Sequence, residues 1–379
     1  MAPEEAECFA RGEAWKLPEE VVARMVIGAW LLEDYVPGEM LDSLAGRYRI
    51  AVPAAAFPGL PPGERLLRIV RGLRAAWQPG DQGELTLSEL LPGWAVERLR
   101  PLPGYEAYLE TLASRPWLWL RCQTSGVERV RRELEAAGLT VRSHPRVARA
   151  LAVTGGTVNL YTLELYRQGL IEVQDLASQA IALAAAPRRG QRWFDACAGA
   201  GGKTLALAEL MERTGTVVAG DIRAYKLEDL RKRARRAGFP NIMTRPWDGK
   251  KISGRQAANF DGVLVDAPCS CSGVWRRNPD GRWSTSAADV DAMFPIQREV
   301  LHNAAPAVRP GGVLIYATCS IFPSENEAVA ADFLAAHPEF TPEAFAHPLT
   351  GAPVASGMLA IDGGEDNSDS MFVARFRRR

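Results

Sequence analysis

Phe260-Asp261-Gly262-Val263-Leu264-Val265, followed by Asp266-Ala267-Pro268-Cys269-Ser270-Cys271-Ser272-Gly273, is the stretch on which the reading of this chain turns. The apolar run is too short for a helix and rich in β-branched residues, which predicts a buried strand ending at Asp266. In an open α/β sheet, ligands sit beyond the carboxyl ends of the strands. An acid and a thiol on a turn stiffened by Pro268 are then placed to face a substrate. The same residues also describe an ordinary turn, with Asp266 capping a helix and Cys269 filling core space. The surrounding chain decides between the two.

From about Ile171 onward the pattern is strand, loop, helix, repeated. Arg192-Trp193-Phe194-Asp195 leads into a glycine-rich loop and a helix over Leu205–Arg213. Val217-Val218-Ala219-Gly220-Asp221 leads into a helix reaching Ala237. Asn241-Ile242-Met243 follows, and Val313-Leu314-Ile315-Tyr316-Ala317 precedes a last helix from Ser324. Such alternation predicts an α/β, Rossmann-like doubly wound sheet over 171–379.

Upstream, Trp117–Arg121 and Leu139–Arg142 read as strands around a helix over Val127–Ala137 closed by Gly138. This small α+β unit, 106–170, presents Arg129, Arg131 and Arg132 and suits an RNA platform, although a charged helix face is ordinarily just solvated. Residues 1–105 carry amphipathic helices over Val21–Tyr35 and Glu64–Trp77, split by a Pro/Gly-rich stretch, and form a helical accessory module.

The 379 residues exceed one ordinary core. Lys and Arg total 45 against 45 Asp and Glu, so a nucleic-acid surface must be a local patch. Six scattered cysteines do not form a disulfide framework, and Cys269-x-Cys271 without a second pair argues against zinc. No apolar run reaches membrane-spanning length and no leader pattern opens the chain, so the expectation is a reduced, cytoplasmic, metal-free monomer with no membrane partner.

Asp195-Ala196-Cys197-Ala198-Gly199-Ala200-Gly201-Gly202-Lys203-Thr204 lies between a predicted strand and helix. Its glycines allow a tight turn and close approach to a ligand across the helix N-terminus. A phosphate-binding loop requires glycine where Cys197 stands, so the match to an ATPase fails at one essential position. A nucleoside loop fits better, with Gly199-x-Gly201 followed at the next strand end by Asp221, the interval at which an acid reaches ribose hydroxyls. Asp248 and Asp266 follow the next two strands, although Asp248-Gly249 is also a plain turn signal. Successive strand-end acids repel a triphosphate and suit S-adenosylmethionine, whose sulfonium is a cation.

A second thiol, Cys319 in Tyr316-Ala317-Thr318-Cys319-Ser320, again follows an apolar strand, which brings it to the same sheet edge as Cys269. Cytosine gives two such thiols a purpose. Its C5 is a poor nucleophile until a thiolate adds to C6, most easily with an acid at N3. One thiol suffices for addition and a second can assist release.

These motifs together resemble the catalytic domain of the Sun/Fmu-type RNA (cytosine-5) methyltransferases. The resemblance runs, in order, through Val173-Gln174-Asp175, the loop at 195–204, Asp221, Asp248, Asp266-Ala267-Pro268-Cys269-Ser270, Arg276-Arg277-Asn278-Pro279-Asp280, Thr318-Cys319-Ser320 with Glu325-Asn326-Glu327, and Asp369-Ser370-Met371-Phe372-Val373-Ala374-Arg375. It implies Cys319 as the nucleophile, Cys269 as the thiol assisting release and Asp266 as the acid at N3. It implies S-adenosylmethionine held by Cys197, Ala198, Gly199, Ala200, Gly201, Gly202, Lys203, Asp221, Asp248 and Asp266. Two departures stand out: Ala200 where proline is usual, and Cys271 where glycine is usual. Ribosomal RNA is the expected substrate and transfer RNA the next, and a non-catalytic RNA-binding assembly factor is the alternative class. For RNA phosphates, Arg276 and Arg277 beside the catalytic turn are the expected contacts, ahead of Arg231–Arg236 and Arg377–Arg379. A target base must leave its stack before a thiol reaches C6.

Overall fold

The computed structural model describes residues 19–32, 39–50, 52, 60–75 and 85–379. Two compact units emerge, the described part of Met1–Leu90 with Leu109–Arg115, and Leu91–Tyr108 with Pro116–Arg379. In the first, helices Glu19–Leu32, Glu39–Arg47 and Pro62–Ala75 enclose a small core of Ile27, Leu31, Leu41 and Ile69. Residues 33–35 and 76–77 of the expected helices lie outside the described residues.

The second unit holds two main sheets and a short two-stranded one. The smaller main sheet has order β2-β3-β1-β4, with β1 Leu118–Cys122, β2 Thr140–Ser143, β3 Ala150–Gly155 and β4 Ile171–Val173, antiparallel throughout. Helix Val127–Ala136 packs Val130 and Leu134 onto it. Two expected boundaries shift. Residues 171–173 complete this sheet rather than open the next, residues 91–105 group with this unit rather than with the helical module, and Leu109–Arg115 groups with the first unit rather than with the small α+β unit.

The large sheet contains β5 Arg192–Asp195, β6 Thr216–Ala219, β7 Ile242–Thr244, β8 Phe260–Asp266, β9 Val308–Thr318, β10 Phe340–Pro342, β13 Met358–Ile361 and β14 Met371–Arg378; a separate short pair is β11 Phe345–Ala346 with β12 Pro353–Val354. Its order, β10-β14-β9-β8-β5-β6-β7, has β7 to β9 parallel and β14 antiparallel beside β9. The chain winds from β5 outward to β7, then returns to lay β8 and β9 on the other side. The order thus reverses between β5 and β8, where ligands bind in doubly wound sheets.

Alternation along the strands sorts side chains between two cores. Trp193, Val217 and Leu264 face helices Leu176–Ala185 and Gly202–Leu210, while Phe194, Val218, Val263 and Val265 face Met293–Ala304 and Glu327–Ala336. Gly262 sits opposite Trp193, and a Cβ there would lie 2.4 Å from the indole. Among the described residues no helix is long and apolar enough to cross a membrane.

Candidate active site

Parallel register sets the site. Asp195 pairs with Leu264 and Ala219, and Asp266 with Ala317, so Asp195, Asp221, Asp266, Cys269 and Cys319 all arrive at one sheet edge. A cavity of about 840 Å³ opens there, bordered by residues 196–200, Lys203, Asp221, Asp266, Cys269, Cys271 and Cys319. That volume lies in the range of ligand pockets.

The glycine loop turns through left-handed backbone at Gly199 (φ +53°) and Gly201 (φ +94°). A Cβ on Gly201 would fall 2.5 Å from Leu230, whereas at Gly199 it would meet nothing, which leaves that backbone open to a ligand. The Gly199 amide donates to Asp221 Oδ2 (2.8 Å), and Arg223 donates to Oδ1 from its amide (2.8 Å) and Nε (3.1 Å). Burial opposes the Asp221 charge, but these donors hold its pKa below the usual carboxylate range. Arg233 steadies the loop from behind, donating to Ala200 O (2.7 Å) and to Glu172 (2.9 Å).

This wiring does not suit phosphate. The Gly199 amide is committed to a carboxylate, and Lys203 Nζ reaches Asp266 Oδ2 at 2.7 Å. Burial works against the Lys203 charge, yet Asp266 raises its pKa and keeps it an ammonium. Asp175, Asp221, Asp266 and Asp369 all border the cavity, with apolar Ile222 and Trp247 on its wall. A cationic, phosphate-free nucleoside fits this lining; a triphosphate does not.

Asp195 is almost fully buried. Oδ2 accepts from Thr204 Oγ1 (2.6 Å), while Oδ1 has no protein partner among the described residues, and burial pushes its pKa up to about 7. The folded chain therefore holds this proton more tightly than the unfolded one. Its contribution to stability is complete below the ordinary carboxylate range and disappears as pH rises through about 7. Asp195→Asn should flatten the fall in Tm between about pH 5 and pH 8, and at the upper end melt about 3 °C or more above the wild type. Thermal melts across that range check it, and parallel pH profiles for the two proteins would contradict it.

The thiols stand on the turns after β8 and β9, with Cys269 Sγ and Cys319 Sγ 3.3 Å apart. One buried carboxylate joins the turns. Glu325 accepts from the Ser270 amide (2.8 Å), Ser320 Oγ (2.7 Å) and Gln297 Nε2 (2.9 Å). Gly273 completes the joint. Its amide donates to Cys319 O (2.8 Å), its carbonyl accepts from Ser370 N (3.0 Å), and a Cβ would lie 2.1 Å from Ser370 O. Cys271, the third sulfur, is exposed. Its thiol donates to Cys269 O (3.5 Å), and the neighbouring sulfurs lower its pKa while those of Cys269 and Cys319 are raised.

Three of the expected residues have partners within the protein. Asp248 is exposed, pairs with Lys250 (2.7 Å) and accepts its amide (3.1 Å); its neighbours Trp247 and Gly249 border the cavity instead. Arg276 is buried and donates to Asn367 Oδ1 and Ser368 O, so it ties the turn to the segment before β14 rather than facing phosphate. Arg277 bridges Asp175 (3.1 Å) and Asp369 (3.3 Å). Burial, then Asp369, lifts Asp175 to about 6. The other basic clusters are also largely internal or paired. Arg233 and Arg236 converge on Glu172, Arg377 pairs with Glu343, and Arg129 and Arg131 pair with acids of their own helix. Lys232 and Arg235 stay exposed.

Sequence reasoning assigned no role in the site to Asp175, Arg223, Trp247 or Asp369. The signal for Asp175 and Asp369 was present, since both fall inside stretches that carried the family resemblance.

Comparison with known proteins gives a consistent result. A family description, 16S rRNA methyltransferase RsmB/F, matches residues 181–377. A Synechocystis protein named probable ribosomal RNA small subunit methyltransferase B is 32% identical over 336 residues, 83% of this chain and 74% of that protein. The ribosomal RNA small subunit methyltransferase B of Salmonella paratyphi B is 33% identical over 297 residues, 76% and 67% of the two chains. Among solved structures, PH0851 superposes with a TM-score of 0.72 at 30% identity, covering 83% of this chain and 73% of that one. NSun6 from Pyrococcus horikoshii, solved with SFG, shares the fold at a TM-score of 0.65 and 19% identity, over 77% and 99%.

Proposed function

We propose a cytosine-5 reaction for this chain, which belongs to the 16S rRNA methyltransferase RsmB/F family and is an S-adenosylmethionine-dependent RNA methyltransferase. The substrate is small-subunit ribosomal RNA rather than transfer RNA, in keeping with the names its relatives carry. The reaction runs in the cytoplasm. One observation supports the chemistry above all others: two thiols 3.3 Å apart share a cavity with the nucleoside loop.

Asp221 and the loop at 197–203 would hold the donor, with Ile222 and Trp247 against its base. When bound, S-adenosylmethionine supplies an electrophilic methyl group. The protein's own groups act on the pyrimidine. As the Cys319 sulfur bonds to C6 the C5–C6 double bond opens and the thiol proton is passed to N3 by way of Asp266, which Lys203 keeps oriented. Addition makes C5 nucleophilic. After C5 is methylated, a base takes the C5 proton, the C5–C6 double bond re-forms and the Cys319 sulfur departs, with Cys269 assisting.

Incubating the protein with labelled donor and small-subunit RNA, then mapping the label, tests the reading. Label in 5-methylcytosine is the expected result. Label in any other nucleoside, or none, would overturn it.

A further inference from the structure

Two cysteines one residue apart, without a second pair, argue against a metal site when read along the chain. The fold changes the count by delivering Cys319 from the turn after β9. The Sγ atoms of Cys269, Cys271 and Cys319 all lie within 4.8 Å of one another, and one pair is 3.3 Å apart. Thiolates sharing a tetrahedral ion at about 2.3 Å per bond stand about 3.8 Å apart, a spacing between those limits. Cytosine chemistry uses two of these sulfurs and leaves Cys271 without a task. Cys271 also occupies left-handed backbone (φ +57°), where glycine is the natural residue, so a side chain is carried there against local preference. It is exposed, which gives an ion a path to the inner pair.

We propose that Cys269, Cys271 and Cys319 form a trithiolate site for a soft divalent ion of the zinc type, with the fourth position open to the cavity. Each sulfur releases its proton to solvent as its metal bond forms, and no electrons are exchanged. A bound ion withholds Cys319 from cytosine C6, so metal and target base exclude one another. That consequence rests on the cytosine reading; the binding itself does not.

The full chain, reduced and stripped by chelator, is titrated with cadmium, whose thiolate bonds absorb in the ultraviolet. The wild type should saturate at one ion per three-sulfur site. Cys271→Gly, which suits the backbone, should lose about a third of the absorbance and bind at least about tenfold more weakly. Cys319→Ser should lose a similar fraction, which guards against a folding defect peculiar to one variant. Superimposable wild-type and Cys271→Gly titrations, or a wild type without the cadmium–thiolate band, would overturn the proposal. Methyl transfer in metal-free buffer is read separately, and its absence alongside intact cadmium binding sinks the cytosine reading alone.

Discussion

Cys319→Ala should bind S-adenosylmethionine as the wild type does, yet methylate RNA at least about 10⁴-fold more slowly. Without addition at C6 the pyrimidine C5 stays a weak nucleophile, and neither proximity nor a neighbouring acid replaces a covalent bond. Donor binding should survive because Cys319 contributes one part of a cavity whose loop, Asp221 and Trp247 are untouched. Equilibrium dialysis with labelled donor reads the first property and incorporation into small-subunit RNA the second. A variant retaining more than about 1% of the wild-type rate would mean that another sulfur performs the addition. Cys269, 3.3 Å away, would then be the first suspect.

Cys269→Ala should fail at the opposite end of the cycle. Addition and methylation proceed, but departure of the Cys319 sulfur loses its assistance. Turnover should fall by at least about 10²-fold, and protein should accumulate covalently joined to RNA. The joined species should resist denaturant, migrate slowly on a gel and require the donor. Its absence from the Cys269→Ala, Cys319→Ala double variant identifies the sulfur that carries the RNA. Clean release by Cys269→Ala would contradict the division of labour between the thiols.

The winding of the large sheet, the glycine loop, Asp221 at its strand end and the convergence of two thiols were all legible in the sequence. In a parallel sheet these features are local: each strand announces its end, and register carries the ends to one edge. What was illegible depended on partners distant in the chain. Arg277 read as a surface cation because Asp175 and Asp369, 102 and 92 residues away, could not be seen beside it, and Arg276 did so because Asn367 and Ser368 are as distant in the chain. Asp248 read as a site acid because an extended segment hides which of its alternating side chains faces inward. Glu325 appeared only inside a motif, since nothing along the chain shows a carboxylate reaching two turns at once. The first unit carried no chemical signal in its sequence, and its described residues add none.

The antiparallel strand β14 has a temporal consequence. It zips along β9 from Thr318 to Val313, and the residues just before it supply Asp369 to Arg277 and Ser370 to Gly273. Asp369, Ser370 and β14 are translated after both thiols. While a ribosome is still making this polypeptide, the sulfur-bearing turns lack these contacts until residues 369–378 have emerged.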